Sequence, residues 1–291
     1  MSRFTVVQIS LPDLDNAETF PEGAISKYWQ DLPEIGLSLV KVDLRGAWVE
    51  KVTEDLAKQI GLPVARCELA ERADGLKMIA SPNFLAPGTI EVPGEDLLND
   101  ALGKNYLYTP DAILKVLDDT KVELPIGFTP SIAINTASDL MVGYLIFDSW
   151  IGNIDRHSKN WGIQTTLAGE SELLPTYDHG IALGVRMPED KLPIDINGYS
   201  GDMYSSVYGE IGGALSMNKL ASRLLELKPA AAKFWIAEIG KIDRAAIEST
   251  FDRIPEKWAI KVSATFAVDF LEISGKRLAK LSTNQVSPPD K

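Results

Sequence analysis

Residues 153–180 read NIDRHSKNWGIQTTLAGESELLPTYDHG, and the fold turns on how this stretch is read. Asn160–Thr165 and Leu173–Thr176 have the composition of two short strands, and Ala168-Gly169-Glu170 supplies a turn between them, so the centre of the stretch is a hairpin. Polar and charged residues crowd both of its ends: Asp155, Arg156, His157, Lys159 and Asn160 before it, Tyr177, Asp178 and His179 after it. Just upstream, Ser138–Ile151 is apolar almost all round, which predicts a buried helix. Its most apolar part, Leu140–Ile151, carries Asp148 and falls far short of the ~20 residues needed to cross a bilayer.

Asp155 and Asn160 are separated by four residues on the loop between that helix and the hairpin. The D-x-x-x-x-N spacing is that of a phosphoryl-transfer loop, in which the Asp accepts a hydroxyl proton and the Asn holds Mg2+. Asp178, directly after the hairpin, occupies the place of a second metal-binding acid. Phosphoryl transfer asks little covalent work of a protein, but it needs positive charge against phosphate oxygens, and oxygen donors from Asp and Asn suit Mg2+. Lys159 is placed to neutralise a transferring phosphoryl group, while Arg156 and His157 read as braces of the loop. By itself the spacing also fits an ordinary Asp-Arg ion pair in a loop, and Tyr177-Asp178-His179-Gly180 a polar turn.

Taken whole, LIFDSWIGNIDRHSKNWGI (145–163) followed by LLPTYDHGIALG (173–184) resembles the catalytic segment of HipA-like serine/threonine kinases. The resemblance implies an α+β, two-lobed, protein-kinase-like fold with a small β-rich N-lobe and a mainly helical C-lobe. It implies Asp155 as catalytic base, Asn160 and Asp178 as Mg2+ ligands, and ATP as phosphoryl donor to a Ser/Thr hydroxyl of a protein, in a toxin–antitoxin or defence setting. Related lipid kinases carry a similar Asp-Arg-His-x-x-x-Asn loop, so a lipid or small-molecule acceptor stays open, as does a pseudokinase binding module. Compared with the best-known HipA toxins the chain is short, which sets it closer to compact members of the family that depend on a separately encoded regulatory partner.

Upstream the resemblance is looser. Phe4–Ile9 and Leu37–Leu44 are strand-like, Trp48–Ile60 is helical, Gly61-Leu62-Pro63 stops that helix, and Val64–Leu69 is a further predicted strand. WVEKVTEDLAKQIGLP (48–63) is similar to the first-lobe helix of the family, which implies that Glu50 pairs with a phosphate-binding lysine, Lys41; Glu54, one turn on, competes for that role. Glu22-Gly23-Ala24-Ile25-Ser26-Lys27 is the candidate phosphate loop, with Gly23 and Ser26 supplying backbone N–H groups and Lys27 a charge. Breakers from Pro82 to Gly103 mark a connection, giving an expected N-lobe at 1–86, a C-lobe at 87–283 and a flexible tail at 284–291. C-lobe helices are predicted at Pro110–Leu117, Met217–Leu227, Pro229–Ile239, Ala245–Ile254 and Pro255–Leu281, the last with Val262, Phe266, Phe270 and Ile273 on one face.

The composition narrows the function. The 291 residues are 45% hydrophobic, which is enough for a full core. With 41 acidic and 29 basic residues the net charge is −12, so no overall electrostatic footprint for nucleic acid or an anionic membrane is expected. A single Cys67 forms no intramolecular disulfide, and the N-terminal stretch lacks the pattern of a secretory signal, so a cytoplasmic protein is expected.

Overall fold

The structure is a computed structural model and describes residues 2–10, 27–42, 45–192, 195–209, 212–258 and 261–284. The candidate phosphate-loop residues Gly23 and Ser26, the end of the expected Leu37–Leu44 strand, and the expected tail after Asn284 lie outside the described residues.

Side-chain alternation builds the first lobe. Along β3 (Gly36–Val42), Val40 is buried in a small core with Val7, Ile9, Tyr28, Leu32 and Met78, while Leu39 and Lys41 face the opposite way. β3 lies between β2 (Lys27–Leu32) and β5 (Lys77–Pro82), both antiparallel to it. β4 (Glu68–Arg72) joins β5, and β1 (Val6–Ile9) runs parallel to β4, giving the order β1-β4-β5-β3-β2. α1 (Ala47–Gln59) buries Val49, Val52 and Leu56 in the main core, and its Trp48 meets Phe251 of the second lobe edge-on at 5.9 Å. Gly61, at φ 73°, ends α1 in the left-handed region that glycine tolerates.

The expected strand Val64–Leu69 is corrected: β4 starts at Glu68, and Val64 forms only a parallel bridge to Thr176. The physical reason is competition for its backbone, since Ala65 N–H donates to Thr176 O at 2.9 Å and Thr176 N–H donates to Pro63 O at 3.0 Å. The stretch of breakers also contains regular structure, β6 (Thr89–Pro93) and α2 (Gly94–Leu102). Its prolines and glycines stand at element ends, and Gly94 is required by packing, because a Cβ there would lie 2.2 Å from the Trp161 indole.

β6 pairs with β7 (Gly162–Thr166), which pairs with β8 (Ser171–Leu173), so the predicted hairpin supplies the central strand and one edge of a three-stranded antiparallel sheet. Around it lie α3 (Pro110–Asp119), α4 (Ala137–Ile151), α5 (Ile196–Asp202), the hairpin β9 (Tyr204–Tyr208) and β10 (Ala214–Ser216), then α6 (Met217–Leu227), α7 (Pro229–Gly240), α8 (Arg244–Phe251) and α9 (Lys261–Asn284). The last helix starts later than expected because Pro255–Trp258 form a turn closed by Trp258 N–H to Pro255 O at 2.8 Å. No helix among the described residues is long and apolar enough to cross a membrane.

All 15 residues of α4 are buried. Thr136 and Asp139 cap its start reciprocally, and Gly152, left-handed at φ 68°, ends it. Gly143, in the middle of α4, lies so close to α7 that a Cβ would stand 2.6 Å from the Trp235 ring and 2.9 Å from Leu62 Cδ1. Alanine is the better helix former by about 1 kcal/mol, but overpacking against a buried indole costs about 1–3 kcal/mol. Gly143→Ala is therefore expected to lower the melting temperature; a thermal scan in which it melts at or above the wild-type temperature would show that the two helices can separate freely.

Candidate active site

The loop after α4 is organised by one buried guanidinium. Arg156 Nε donates to Asp148 Oδ2 at 2.7 Å and Nη2 to Asp148 Oδ1 at 2.9 Å, a two-point contact with a carboxylate inside an apolar helix. Its three remaining N–H groups face four further polar atoms: Tyr177 O at 2.9 Å, the carbonyl of Asn160, Thr176 Oγ1 at 2.9 Å and His179 Nε2 at 3.0 Å. Burial works against this charge, but Asp148 more than offsets it and holds the Arg156 pKa above the usual arginine value. Asn153 Nδ2 adds a bond of 2.8 Å to Asp148 Oδ1, and Tyr108 OH donates to Arg156 O at 2.9 Å.

His179 Nε2 lies 3.0 Å from both Arg156 Nη2 and Thr176 Oγ1. Burial first, and then Arg156, push the His179 pKa well below the usual histidine value. The neighbouring Asp178 sits in the left-handed region at φ 63°, a conformation that Asp tolerates better than most residues. It is held there from both sides: Arg156 grips the preceding Tyr177 carbonyl, and His179 N–H donates to Glu50 Oε2 of α1 at 3.0 Å.

Glu50 and Asp178 meet at Lys41. The ammonium lies 2.8 Å from Asp178 Oδ1 and 3.9 Å from Glu50 Oε1. Burial would lower the Lys41 pKa, but Asp178 and then Glu50 outweigh it and raise it above the ordinary lysine value. Conversely, burial would raise Asp178, but Lys41 and, less strongly, Lys27 hold it below the usual carboxylate range. Glu54 is engaged elsewhere, 2.7 Å from Lys51 Nζ and in contact with Lys58.

These groups line a cleft between the lobes with a cavity volume of about 220 Å3. Lys27 and Lys41, registered opposite each other on β2 and β3, share its wall with Glu50, Lys159, Asn160 and Asp178. Asp155 is half-buried outside the lining, where its carbonyl accepts from Asn160 Nδ2 at 2.6 Å. That bond commits the Asn160 nitrogen and leaves the amide oxygen as the group's second polar atom. Lys159 is exposed and 3.2 Å from Glu95 Oε2, a surface ion pair worth only ~0–1 kcal/mol. Among the described residues no group of three or more His, Cys, Asp or Glu side chains forms a metal cage. Asn160 and Asp178 are a two-residue set of hard oxygen donors, which fits Mg2+ when phosphates and water complete its shell.

The structure thus gathers Lys27, Lys41, Glu50, Lys159, Asn160 and Asp178 around one cavity. Sequence reasoning overlooked Asp148 as the partner of Arg156, as well as Thr176, His179 and Tyr108. Asp148 carried a readable signal, a lone carboxylate in an apolar helix that requires a buried cation. Tyr108 carried none.

No protein-family model matches the sequence, and no curated protein matches it. Solved structures do match. The proinflammatory kinase CtkA of Helicobacter pylori superposes with a TM-score of 0.71 at 16% identity, over 94% of this chain and 96% of that one. HipA of Shewanella oneidensis MR-1, from a complex of the HipA–HipB toxin–antitoxin system with operator DNA, superposes with a TM-score of 0.60 at 16% identity, over 90% of this chain and 65% of that one. The fold is therefore the two-lobed α+β fold of HipA-like kinases, as the resemblance of residues 145–184 implied.

Breaking a buried ion pair leaves an uncompensated charge and costs about 3–5 kcal/mol, whereas replacing both partners with apolar residues costs less. Asp148→Leu and Arg156→Met are each expected to shift the denaturant midpoint strongly downward, and the double variant less than the worse single one. Additive losses in equilibrium unfolding would show that the two side chains act independently.

Proposed function

We propose that the protein is a Mg-ATP-dependent kinase that transfers the γ-phosphoryl group to a Ser/Thr hydroxyl of a protein. The observation that carries this reading is the Lys41 ammonium held between Asp178 and Glu50 in a cleft also lined by Asn160. Lys41 and Lys27 bind phosphate oxygens, and Glu50 orients Lys41. Asn160 and Asp178 hold the metal, which when bound supplies charge neutralisation at the phosphates. Asp155 accepts the acceptor's hydroxyl proton as its oxygen bonds to the γ-phosphorus and the bond to the ADP leaving group breaks. Lys159 exchanges Glu95 for the transferring phosphoryl group, which the weakness of that surface pair permits.

Strand geometry supports the placement of the nucleotide. Lys41 is registered opposite Ile79 on β5, and Asn83 lies four residues further along the chain, about 13 Å at ~3.3 Å per residue. A nucleoside with its first phosphates covers that span, so the base lies against the 83–85 connection. On this reading residues 1–86 are the phosphate-holding lobe and 87–283 the lobe that carries base and metal ligands. The Shewanella HipA neighbour comes from a toxin–antitoxin complex with HipB, and it supports a separately encoded regulatory partner for this chain.

Two substitutions separate metal binding from chemistry. Asp178→Asn is expected to abolish the Mg2+-dependent thermal stabilisation given by ATP; stabilisation at the wild-type level would remove Asp178 from the metal site. Asp155→Asn is expected to keep nucleotide affinity and lose the ~10²–10⁴-fold in turnover typical of a general base. Transfer from γ-labelled ATP into lysate proteins reads this loss, and undiminished transfer would exclude Asp155 as the base.

Lys41→Ala is expected to weaken ATP binding by at least about tenfold, ~1.4 kcal/mol. Calorimetric titration checks it, and an unchanged Kd would move the phosphate contact to Lys27.

A further inference from the structure

The helix that carries Glu50 is held from two sides. On the cleft side, Glu50 reaches Lys41 and accepts the His179 N–H. At 3.6 residues per turn Trp48 lies about 200° round α1 from Glu50, and Asp55 and Gln59 fall on the same side as Trp48. That side meets residues 250–258, the end of α8 and the turn after it, which belong to the second lobe.

The attachment has an apolar part and a directional part. Trp48 packs on Phe251, both buried, but such contact is non-directional and does not by itself set where α1 stands along α8. Direction comes from the Asp55 carboxylate. Arg253 Nη1 donates to Asp55 Oδ1 at 2.6 Å, and Thr250 Oγ1 lies 3.2 Å from Asp55 Oδ2. Gln59 Nε2, one turn further along α1, donates to Thr250 Oγ1 at 2.8 Å. Both carboxylate oxygens of one α1 side chain therefore contact the second lobe.

Arg253 is itself fixed in place. Its guanidinium lies 4.2 Å from the centroid of the buried Phe4 ring, and its carbonyl accepts the Phe4 N–H at 2.7 Å. The Arg253 and Asp55 side chains are 26% and 20% exposed, so salt and water screen this pair less than a surface one. A few residues on, Lys257 pairs with Glu71 on β4, and Lys77 on β5 donates to the Lys257 carbonyl. One short stretch of the second lobe thus grips α1, which carries Glu50, and the sheet, which carries Lys41. Asp55 stands about 7.5 Å along the axis from Glu50 at 1.5 Å per residue, so a shift of the helix at Asp55 is transmitted directly to Glu50.

We infer that Arg253 is a positioning residue of the cleft: through Asp55 it sets α1 against the second lobe in the register that brings Glu50 to Lys41. This rests on the nucleotide-binding reading proposed above. The test is a double-mutant cycle read by calorimetric titration of the full chain with Mg-ATP. Arg253→Ala is expected to weaken binding by about fivefold or more when Glu50 is present, and by less than about twofold in the Glu50→Ala background. Arg253→Lys, which keeps a cation for Asp55, is expected to bind within about twofold of wild type. The control is Arg244→Ala at the other end of α8, whose partners Glu248, Asp269 and Glu272 all lie in the second lobe. It is expected to lower the melting temperature and leave Mg-ATP affinity unchanged. If Arg253→Ala does not fold, Asp55→Asn takes its place in the cycle. Wild-type affinity in Arg253→Ala, an equal loss in both backgrounds, or a loss of the same size in Arg244→Ala overturns the inference and leaves the kinase reading standing. A wild-type chain that binds no Mg-ATP overturns both.

Discussion

The guanidinium of Arg156 is the constraint on which the geometry of the cleft depends. Bringing a positive charge into the interior costs several kcal/mol unless every donor is satisfied, and here Asp148, Asn160, Thr176, Tyr177 and His179 together satisfy it. These partners belong to three separate pieces of chain: the end of α4, the loop before β7 and the segment after β8. One side chain thereby ties the loop carrying Asp155 and Asn160 to the segment carrying Asp178. An apolar pair of the same volume would fill the space but would not specify the orientation of two loop carbonyls. The buried ion pair is thus read here as a device for register, with its net contribution to stability secondary.

The link to the first lobe runs through His179 and Lys41. His179 N–H is bonded to Glu50, and the same carboxylate group reaches toward Lys41, so α1, β3 and the Asp178 segment converge within a few ångströms. Lys27, across the β2–β3 ladder, stands close enough to act on Asp178. On the proposed reading, a metal at Asp178 would satisfy that carboxylate and leave Lys41 free for phosphate, with Glu50 as its remaining partner.

What was legible in the sequence follows from how local each constraint is. The Asp155–Asn160 spacing and Asp178 could be read because loop chemistry needs fixed residue types at short range, and the buried helix before them because its apolar run is unbroken. The two-lobed fold followed from that segment. Elements whose signals were hidden had non-local causes. α2 and α5 contain glycines that read as breakers, yet a Cβ at Gly94 would strike Trp161 and one at Gly201 would lie 2.2 Å from Asn218 Nδ2, so both are demands of packing. β2 was missed because its inward face alternates only Tyr28 and Leu32 around the polar Gln30, while Trp29 and Asp31 are exposed on the other side. The shift of β4 depended on Thr176, more than a hundred residues away, capturing the backbone at 63–65.

A second buried arginine shows how the start of the same loop is held without an acid. Arg277 on α9 donates to Ser149 O at 2.7 Å, Ser274 Oγ at 3.1 Å and Asn218 Oδ1 at 2.8 Å, and burial pushes its pKa down to about 10. Arg156, more deeply buried still, is raised because Asp148 faces it. In place of an acid, Arg277 meets the Ser149 carbonyl in the last turn of α4, where a helix end carries roughly half a negative charge. Ser274 Oγ also donates to Ser149 O, and Trp150 Nε1 donates to Leu271 O, so α9 grips that turn at three points. Gly152 follows directly, with Phe270 so close that a Cβ would meet its ring at 2.7 Å. The helix end from which the Asp155 loop departs is therefore fixed by a cation on α9 against the Ser149 carbonyl, and the loop itself by a cation against the side chain of Asp148, the residue before it.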